Sequence, residues 1–135
     1  MIAQQIAALY LERVGRLVLA VTCARANDLL KQSVKLWTDL ARRGDHTGLM
    51  DNNVRLIYSE DYYRKNKWLV PIMGKLTKPR SYDRFLIQAA ACSGHDCFQR
   101  LGDIRCPTLI IGGEKDAVIG SQPSRELAEH IPGSR

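Results

Sequence analysis

Long apolar segments, the pattern expected of a secretory leader and concentrated positive charge are all missing from this sequence of 135 residues. No run approaches the roughly 18 consecutive apolar residues of a membrane-spanning helix. The chain lacks a basic start, and Glu12, Arg13 and Arg16 interrupt its first apolar stretch. The net charge of +6 comes from scattered Lys and Arg residues without a nucleic-acid motif. We therefore expect no membrane segment and no nucleic-acid partner. The alternative, a basic nucleic-acid-binding helical domain, predicts salt-dependent DNA affinity.

The spacing of the cysteines forms no recognisable disulfide framework. The four residues Cys23, Cys92, Cys97 and Cys106 indicate reduced thiols, which are typical of the cytoplasm. Cys92, His95 and Cys97 are close in sequence, but they lack the paired spacing of a zinc site, and no second pair follows. We expect no metal, no cofactor and a cytoplasmic location.

The most informative stretch runs from Cys106 to Asp116. The apolar run Thr108 to Ile111 lies between a proline and two glycines, which predicts a strand buried on both faces, as in a parallel sheet. The two glycines permit a sharp bend after this strand. Asp116 then lies just past the carboxyl end of the strand, where ligands bind in open α/β sheets. The spacing by itself favours a turn residue or a helix cap over a catalytic acid.

The amino-terminal part of the chain predicts a helix followed by a second strand. A helical pattern covers Met1 to about Val14, and Ile2, Ile6 and Leu9 share one side of it, with small alanines between them. The run Leu17 to Thr22 predicts a second buried strand. Together these elements predict a protein of the α/β class.

The chain between the two strands has a helical pattern. Pro71, Gly74 and Pro79 are expected to divide its middle part into short pieces. Asn27 to Arg43 is an amphipathic segment that Asn27 can cap, and Ser59 with the acidic residues after it resembles a further helix start. Helical patterns also cover Asp45 to Ser59, Ser81 to Ala91 and, after Asp116, Ser121 to His130 with Ser121 or Ser124 as cap. The insertion of roughly 75 residues is far longer than the dozen or so that a parallel crossover needs, which suggests a lid.

Two stretches resemble the α/β-hydrolase family. The segment Ile104-Arg-Cys-Pro-Thr-Leu-Ile-Ile-Gly-Gly-Glu-Lys-Asp116 is similar to the family's acid-bearing strand and loop, I-x-x-P-T-L-x-I-x-G-x-x-D. The segment Met1 to Leu19 resembles the helix and strand that follow the nucleophile, G-x-S-x-G-G-x-I-A-x-x-x-A-x-x-Y-P-E-R-V-x-x-L-V-L, with Leu11 in place of the usual Pro. The resemblance implies a partial α/β-hydrolase fold: core residues 1–26, a helical lid over 27–98, and core residues 99–135, with two parallel strands and flanking helices.

The resemblance also implies a chemistry. Asp116 corresponds to the acid of a Ser-Asp-His triad that hydrolyses a carboxylic ester or a lactone, and the enol-lactonase-like branch is the closest. In this family the lid shapes the substrate pocket, so its large side chains are candidate substrate-binding residues; lid core or surface is the alternative role of each. These candidates are Trp37, Tyr62, Trp68 and Met73, with Tyr58 and Tyr63 as further members of the set.

Histidine is rare, and none of the three residues is a convincing catalytic partner. His95 and Asp96 are sequence neighbours, and such side chains point apart on most backbones, which argues against a local acid–base pair. The pattern H-D-x-x-x-R-L that begins at His95 also recurs in the resembling enzymes outside the triad. We expect His95 to be structural or pocket-lining, and His46 and His130 to lie at the surface.

The triad Ser and His of the resembling enzymes have no counterpart here. The sequence contains no Gly-x-Ser-x-Gly, and the family's His would follow a strand that starts near Arg135. The chain therefore resembles an internal piece of a hydrolase, which we expect to be inactive alone and marginally stable, self-associating or dependent on the rest of the fold. The alternative is a non-catalytic relative, or a truncated product, that binds a ligand or a partner chain.

Overall fold

Two short parallel strands organise the computed structural model, which describes all residues from 1 to 135. Strand β1 (Leu17–Ala20) pairs with strand β2 (Thr108–Ile111), with Leu17 opposite Thr108 and Ala20 opposite Ile111. Both strands consist mainly of aliphatic residues, with Thr108 as the exception, and residues that disfavour regular structure precede them, Gly15 before β1 and Pro107 before β2. The two predicted strands and their parallel pairing are confirmed.

The chain also contains seven α-helices and three short 3₁₀ segments. The helices are α1 (Ile2–Leu9), α2 (Asp28–Arg42), α3 (His46–Ile57), α4 (Glu60–Asn66), α5 (Val70–Leu76), α6 (Asp83–Ser93) and α7 (Gln122–His130). The 3₁₀ segments are Leu11–Arg13, Lys67–Leu69 and Phe98–Asp103. The chain divides into two units: a core unit of Met1–Lys31 with Cys92–Arg135, and a helical unit of Gln32–Ala91. The predicted lid role of the region between the strands stays a prediction.

The hydrophobic core of the core unit lies against one face of the sheet. Leu17 and Leu19 point into it from β1, while Ala7 and Ala8 allow α1 to approach closely. The remaining buried members come from the segments around the 3₁₀ turn and α7: Ala24, Cys97, Leu101, Ile104, Leu127 and Ile131. Ile110 of β2 is half-buried against this cluster, to which α7 contributes Leu127.

The other face of the sheet is open, which corrects the prediction of strands buried on both faces. Val18, Leu109 and Ile111 expose 59%, 46% and 48% of their surface, whereas Leu17 and Leu19 are buried. Successive side chains of a strand point to opposite faces, and the helices of the core unit cover only one of them. An aliphatic sheet face therefore remains accessible.

Helix α1 also turns a different side inward from the one predicted. Ile2, Ile6 and Leu9 are exposed, whereas the opposite side is buried through Gln4 and the two alanines. Close packing against the core selects the small side chains, since the larger ones would hold the helix axis farther away. The helix also ends at Leu9, short of the predicted Val14, because Tyr10 leaves the helical region with φ −130° and ψ 64°.

Two helices of the helical unit begin with a side-chain cap, and the start at Ser59 is the one that the sequence predicts. Asp45 accepts a hydrogen bond from the Gly48 amide (2.8 Å), and Ser59 accepts one from the Tyr62 amide (3.3 Å). The prediction for α7 is wrong in detail, because Ser121 occupies the cap position without a side-chain bond and the helix begins with Gln122 and a proline. Proline in the first turn needs no amide partner, so this helix starts without a side-chain cap.

Helix α5 corrects the prediction that Pro71 and Gly74 interrupt the chain. The helix runs through both residues, because Pro71 lies in its first turn and Gly74 lies against α3. A Cβ atom on Gly74 would approach the Thr47 Cα to 3.0 Å and its Oγ1 to 2.7 Å. Gly74 therefore provides a close helix–helix contact inside the helical unit.

A second glycine is required by packing where β2 ends. Replacing Gly112 by Ala is expected to lower the free energy of unfolding by about 1–3 kcal/mol, because the new Cβ would overlap Ser124 Oγ and lie 2.6 Å from Ser124 Cβ of α7. Urea unfolding followed by circular dichroism measures the loss. The matched control is Gly113→Ala, whose Cβ would have no neighbour nearer than 3.9 Å. Equal stability of the two variants would contradict this packing, and Ser124→Gly should restore the first variant.

Candidate functional site

The candidate site lies at the carboxyl end of the two-stranded sheet. Strand β2 ends at Ile111, the chain bends through Gly112 and Gly113, and Asp116 follows, half-buried, on the loop before α7. The carboxyl ends of parallel strands are the usual place for chemistry in open α/β sheets, because loops from different strands meet there. The structure thus places Asp116 where the sequence pattern predicts.

The carboxylate of Asp116 is held by two backbone amides of its own loop. Its Oδ1 accepts hydrogen bonds from the amides of Val118 (2.8 Å) and Ile119 (2.9 Å). The backbone closes the same turn, since the Gly120 amide donates to the Asp116 carbonyl (3.2 Å). These bonds leave Oδ2 free to accept a further bond, so the loop presents an oriented carboxylate oxygen.

A crevice opens beside this loop at the end of β1. It has a volume of about 470 Å³, and Val21, Thr22, Leu30, Val118 and Ile119 line it together with the end of β1. Most of these side chains are aliphatic, which suits an apolar group of a small molecule. We call this cavity the strand-end crevice.

The backbone at the mouth of the strand-end crevice is strained. Val21 has φ 48°, a conformation that a β-branched side chain rarely adopts. The conformation is held in place by the sheet, because the Val21 amide donates to the Ile111 carbonyl (2.8 Å). Such outliers cluster at functional sites, which marks the end of β1 as part of the candidate site. The sequence carries no signal for this feature, since the valine reads as an ordinary strand residue.

His95 lies elsewhere in the core unit and has a structural environment. Its Nε2 is 3.0 Å from Gln4 Oε1, and the backbone of the next residue pairs with Arg25 as an antiparallel bridge. Burial lowers the pKa of the His95 imidazole below its ordinary value, and the positive amino terminus adds to the effect. Asp96 instead accepts a bond from the Phe98 amide (2.9 Å), so the two neighbours form no acid–base pair.

The other histidines and the cysteines form no hydrogen bond with Asp116, although Cys23 is among the residues that line the strand-end crevice. His46 contacts Thr77, and His130 contacts the Glu126 carbonyl, so no histidine of these residues hydrogen-bonds Asp116. All four cysteines are free thiols. Burial raises the pKa of the Cys23 and Cys97 thiols, which disfavours the reactive thiolate.

No group of three or more metal-ligating side chains is present, and no helix has the length and hydropathy to span a membrane.

The predicted substrate-binding residues all belong to the helical unit. Trp37 is half-buried and donates from its Nε1 to Asn52 (2.7 Å), and Tyr62 stacks on Tyr58 with ring centroids 4.5 Å apart. Trp68 and Met73 are exposed. Their role in a substrate pocket stays a prediction.

Known proteins resemble the chain in structure. No protein-family model and no curated protein matches it. MGS-M2, an α/β hydrolase enzyme from a Medee basin deep-sea metagenome library, superimposes with a TM-score of 0.88 at 28% identity, over 99% of this chain and 50% of that one. The enol-lactonase from Burkholderia xenovorans LB400 gives a TM-score of 0.80 at 22% identity, over 98% and 50%. An acetylester hydrolase from Corynebacterium glutamicum gives 0.78 at 11% identity, over 98% and 48%. The chain spans about half the length of these solved structures.

Proposed function

Because the chain has part of the α/β-hydrolase fold, we propose that it supplies the acid-bearing half of a serine hydrolase that acts on a carboxylic ester or a lactone. The observation that carries this proposal is the Asp116 carboxylate, with Oδ1 bound by the Val118 and Ile119 amides and Oδ2 free. It stands at the carboxyl end of β2 in a chain that superimposes on α/β hydrolases along almost its whole length.

In this proposal Asp116 acts on a histidine from outside these residues. A serine hydroxyl attacks the carbonyl carbon of the ester or lactone, and the histidine takes the hydroxyl proton. The free oxygen of Asp116 accepts the other imidazole N–H, which fixes the tautomer and stabilises the imidazolium that forms. The amides on Oδ1 orient the carboxylate before the reaction, so no loop movement is needed at that step.

The open sheet face supports a larger hydrolase domain. Val18, Leu109 and Ile111 form an exposed aliphatic surface, and the similar solved structures contain about twice as many residues. Arg135 hydrogen-bonds the edge of β2 that faces away from β1, in the pattern of a neighbouring parallel strand. Its amide donates to the Thr108 carbonyl (3.0 Å), and its carbonyl accepts from the Ile110 amide (2.7 Å). We assign the exposed aliphatic sheet face to contacts with the other half of the domain, which would supply the serine and the histidine.

The substrate and the setting are proposed on the same basis. The aliphatic strand-end crevice suits a small ester or lactone, and Trp37, Tyr62, Trp68 and Met73 are proposed to line the rest of the pocket from the lid. The free thiols support a cytoplasmic location, and the exposed sheet face supports self-association of this chain when it is alone.

Ester hydrolysis tests the proposal. These 135 residues alone are expected to show no turnover of p-nitrophenyl acetate or of a lactone above buffer, because no serine nucleophile is activated. A chimera in which the matching half of MGS-M2 is exchanged for this chain is expected to hydrolyse an ester that MGS-M2 hydrolyses. Turnover by the chain alone that Asp116→Ala abolishes would contradict the proposal. A chimera that folds with a cooperative melt but stays inactive would favour a non-catalytic relative.

A further inference from the structure

The side chain of Asn27 forms hydrogen bonds in two directions where α2 begins. Its Oδ1 accepts from the Leu30 amide (2.9 Å), which is the helix cap that the sequence predicts. Its Nδ2 donates to the carbonyl of Ile119 (2.8 Å), 92 residues farther along the chain. Capping the helix needs only the side-chain oxygen, so the bond from Nδ2 to Ile119 is not part of the cap.

The second bond acts on the same residue that holds Asp116. Ile119 donates its amide to Asp116 Oδ1 and accepts from Asn27 at its carbonyl, so this residue is fixed on both sides. The side chains of Ile119 and Leu30 are both buried beside this contact. Gly120 follows with φ 76°, which turns the chain away towards α7. The loop is therefore tied to the first turn of α2 by one amide group.

We propose that Asn27 is a positioning residue for Asp116: by holding the Ile119 carbonyl it fixes the peptide groups that orient the carboxylate. A catalytic effect of Asn27 rests on the proposed function. The hydrogen-bonded connection from Asn27 through Ile119 to Asp116 does not depend on it. Asparagine suits the role because its side chain is both a donor and an acceptor. An ionised aspartate can cap the helix but has no proton to donate, and a serine hydroxyl is too short to replace both bonds.

Amide hydrogen exchange on the ¹⁵N-labelled chain tests the link. In Asn27→Asp the cap acceptor is kept and the donor is lost, so the Val118 and Ile119 amides are expected to exchange about tenfold faster, the effect of losing one hydrogen bond. Exchange at Leu30 should stay close to wild type, because its cap acceptor is kept, and the melting temperature should fall by only the few degrees that the loss of one hydrogen bond causes. The control is Asn66→Asp, which removes a similar bond, from Asn66 Nδ2 to the Tyr62 carbonyl (2.9 Å). It should leave the two loop amides unchanged.

A second variant keeps the test decisive if the carboxylate disturbs folding. Asn27→Ser offers a good cap without charge and without reach to Ile119, and it should accelerate the same two amides. Unchanged exchange at Val118 and Ile119 in both variants would overturn the proposal. In the ester-hydrolysing chimera Asn27→Ser should lower kcat about tenfold with KM within twofold. Absence of hydrolysis in every variant would count against the proposed function alone, because the exchange result is independent of it.

Discussion

Replacing Asp116 by Asn is expected to lower kcat for ester hydrolysis by about 10⁴-fold in a polypeptide that combines this chain with the triad serine and histidine. The amide oxygen of Asn can still accept from Val118 and Ile119, so the loop should keep its shape. The other end of the side chain becomes an N–H donor, which favours the wrong imidazole tautomer and no longer stabilises its cation. KM and the melting temperature should change little. Steady-state kinetics of the two proteins measure the effect.

A matched control separates the loss of this carboxylate from a general effect of charge. Asp103 lies exposed at the end of the 3₁₀ segment Phe98–Asp103, and Asp103→Asn removes the same charge. We expect this variant to keep kcat within twofold, since surface charges far from the reacting atoms are screened by solvent and salt. Wild-type kcat in Asp116→Asn, or an equal loss in both variants, would contradict the assignment of Asp116.

Replacing Leu127 by Ala is expected to lower the free energy of unfolding by about 2–5 kcal/mol. Leu127 of α7 has no solvent-exposed surface and belongs to the same cluster as Leu101, Ile104 and Ile131. The truncation removes apolar contacts and leaves a cavity that the surrounding side chains fill only in part. Because small domains are stabilised by only about 5–15 kcal/mol, this loss is a large share of the total stability. Urea unfolding monitored by circular dichroism measures this change.

Leu76→Ala is the appropriate control for that prediction. Leu76 ends α5 with 76% of its surface exposed, so its truncation removes little buried area. A change within about 0.5 kcal/mol is expected, as for most surface substitutions. If Leu127→Ala were no more destabilising than Leu76→Ala, the core would have to lie elsewhere than the structure places it.

Local patterns in the sequence were sufficient for the strands, for most helices and for the position of Asp116. Thr108 to Ile111 is a strand because a short aliphatic run between proline and glycine has few other conformations. Asn27 and Ser59 begin helices because a polar acceptor followed by an amphipathic run satisfies free amides. These interactions join residues that are close in the chain, so a local sequence pattern is enough to predict them.

Contacts between residues that are distant in the sequence could not be predicted in the same way. Helix α1 has an isoleucine side and an alanine side, and only the neighbouring elements decide that the alanine side is buried. Gly74 was expected to help divide its region into short pieces, but its role depends on the approach of Thr47 from α3. The Nδ2 bond of Asn27 and the strained Val21 likewise depend on residues about 90 positions away. Sequence periodicity contains no information on such contacts.

The most direct measurement is the intact mass of the native polypeptide that contains this sequence, taken after treatment with a fluorophosphonate that modifies an activated serine. The proposed function predicts a species of about 30 kDa, twice the 15.2 kDa of these residues, carrying one phosphonyl adduct. A species of 15.2 kDa without an adduct would contradict it, because a triad cannot be assembled from these residues alone. A binding role would then replace hydrolysis as the function of this chain.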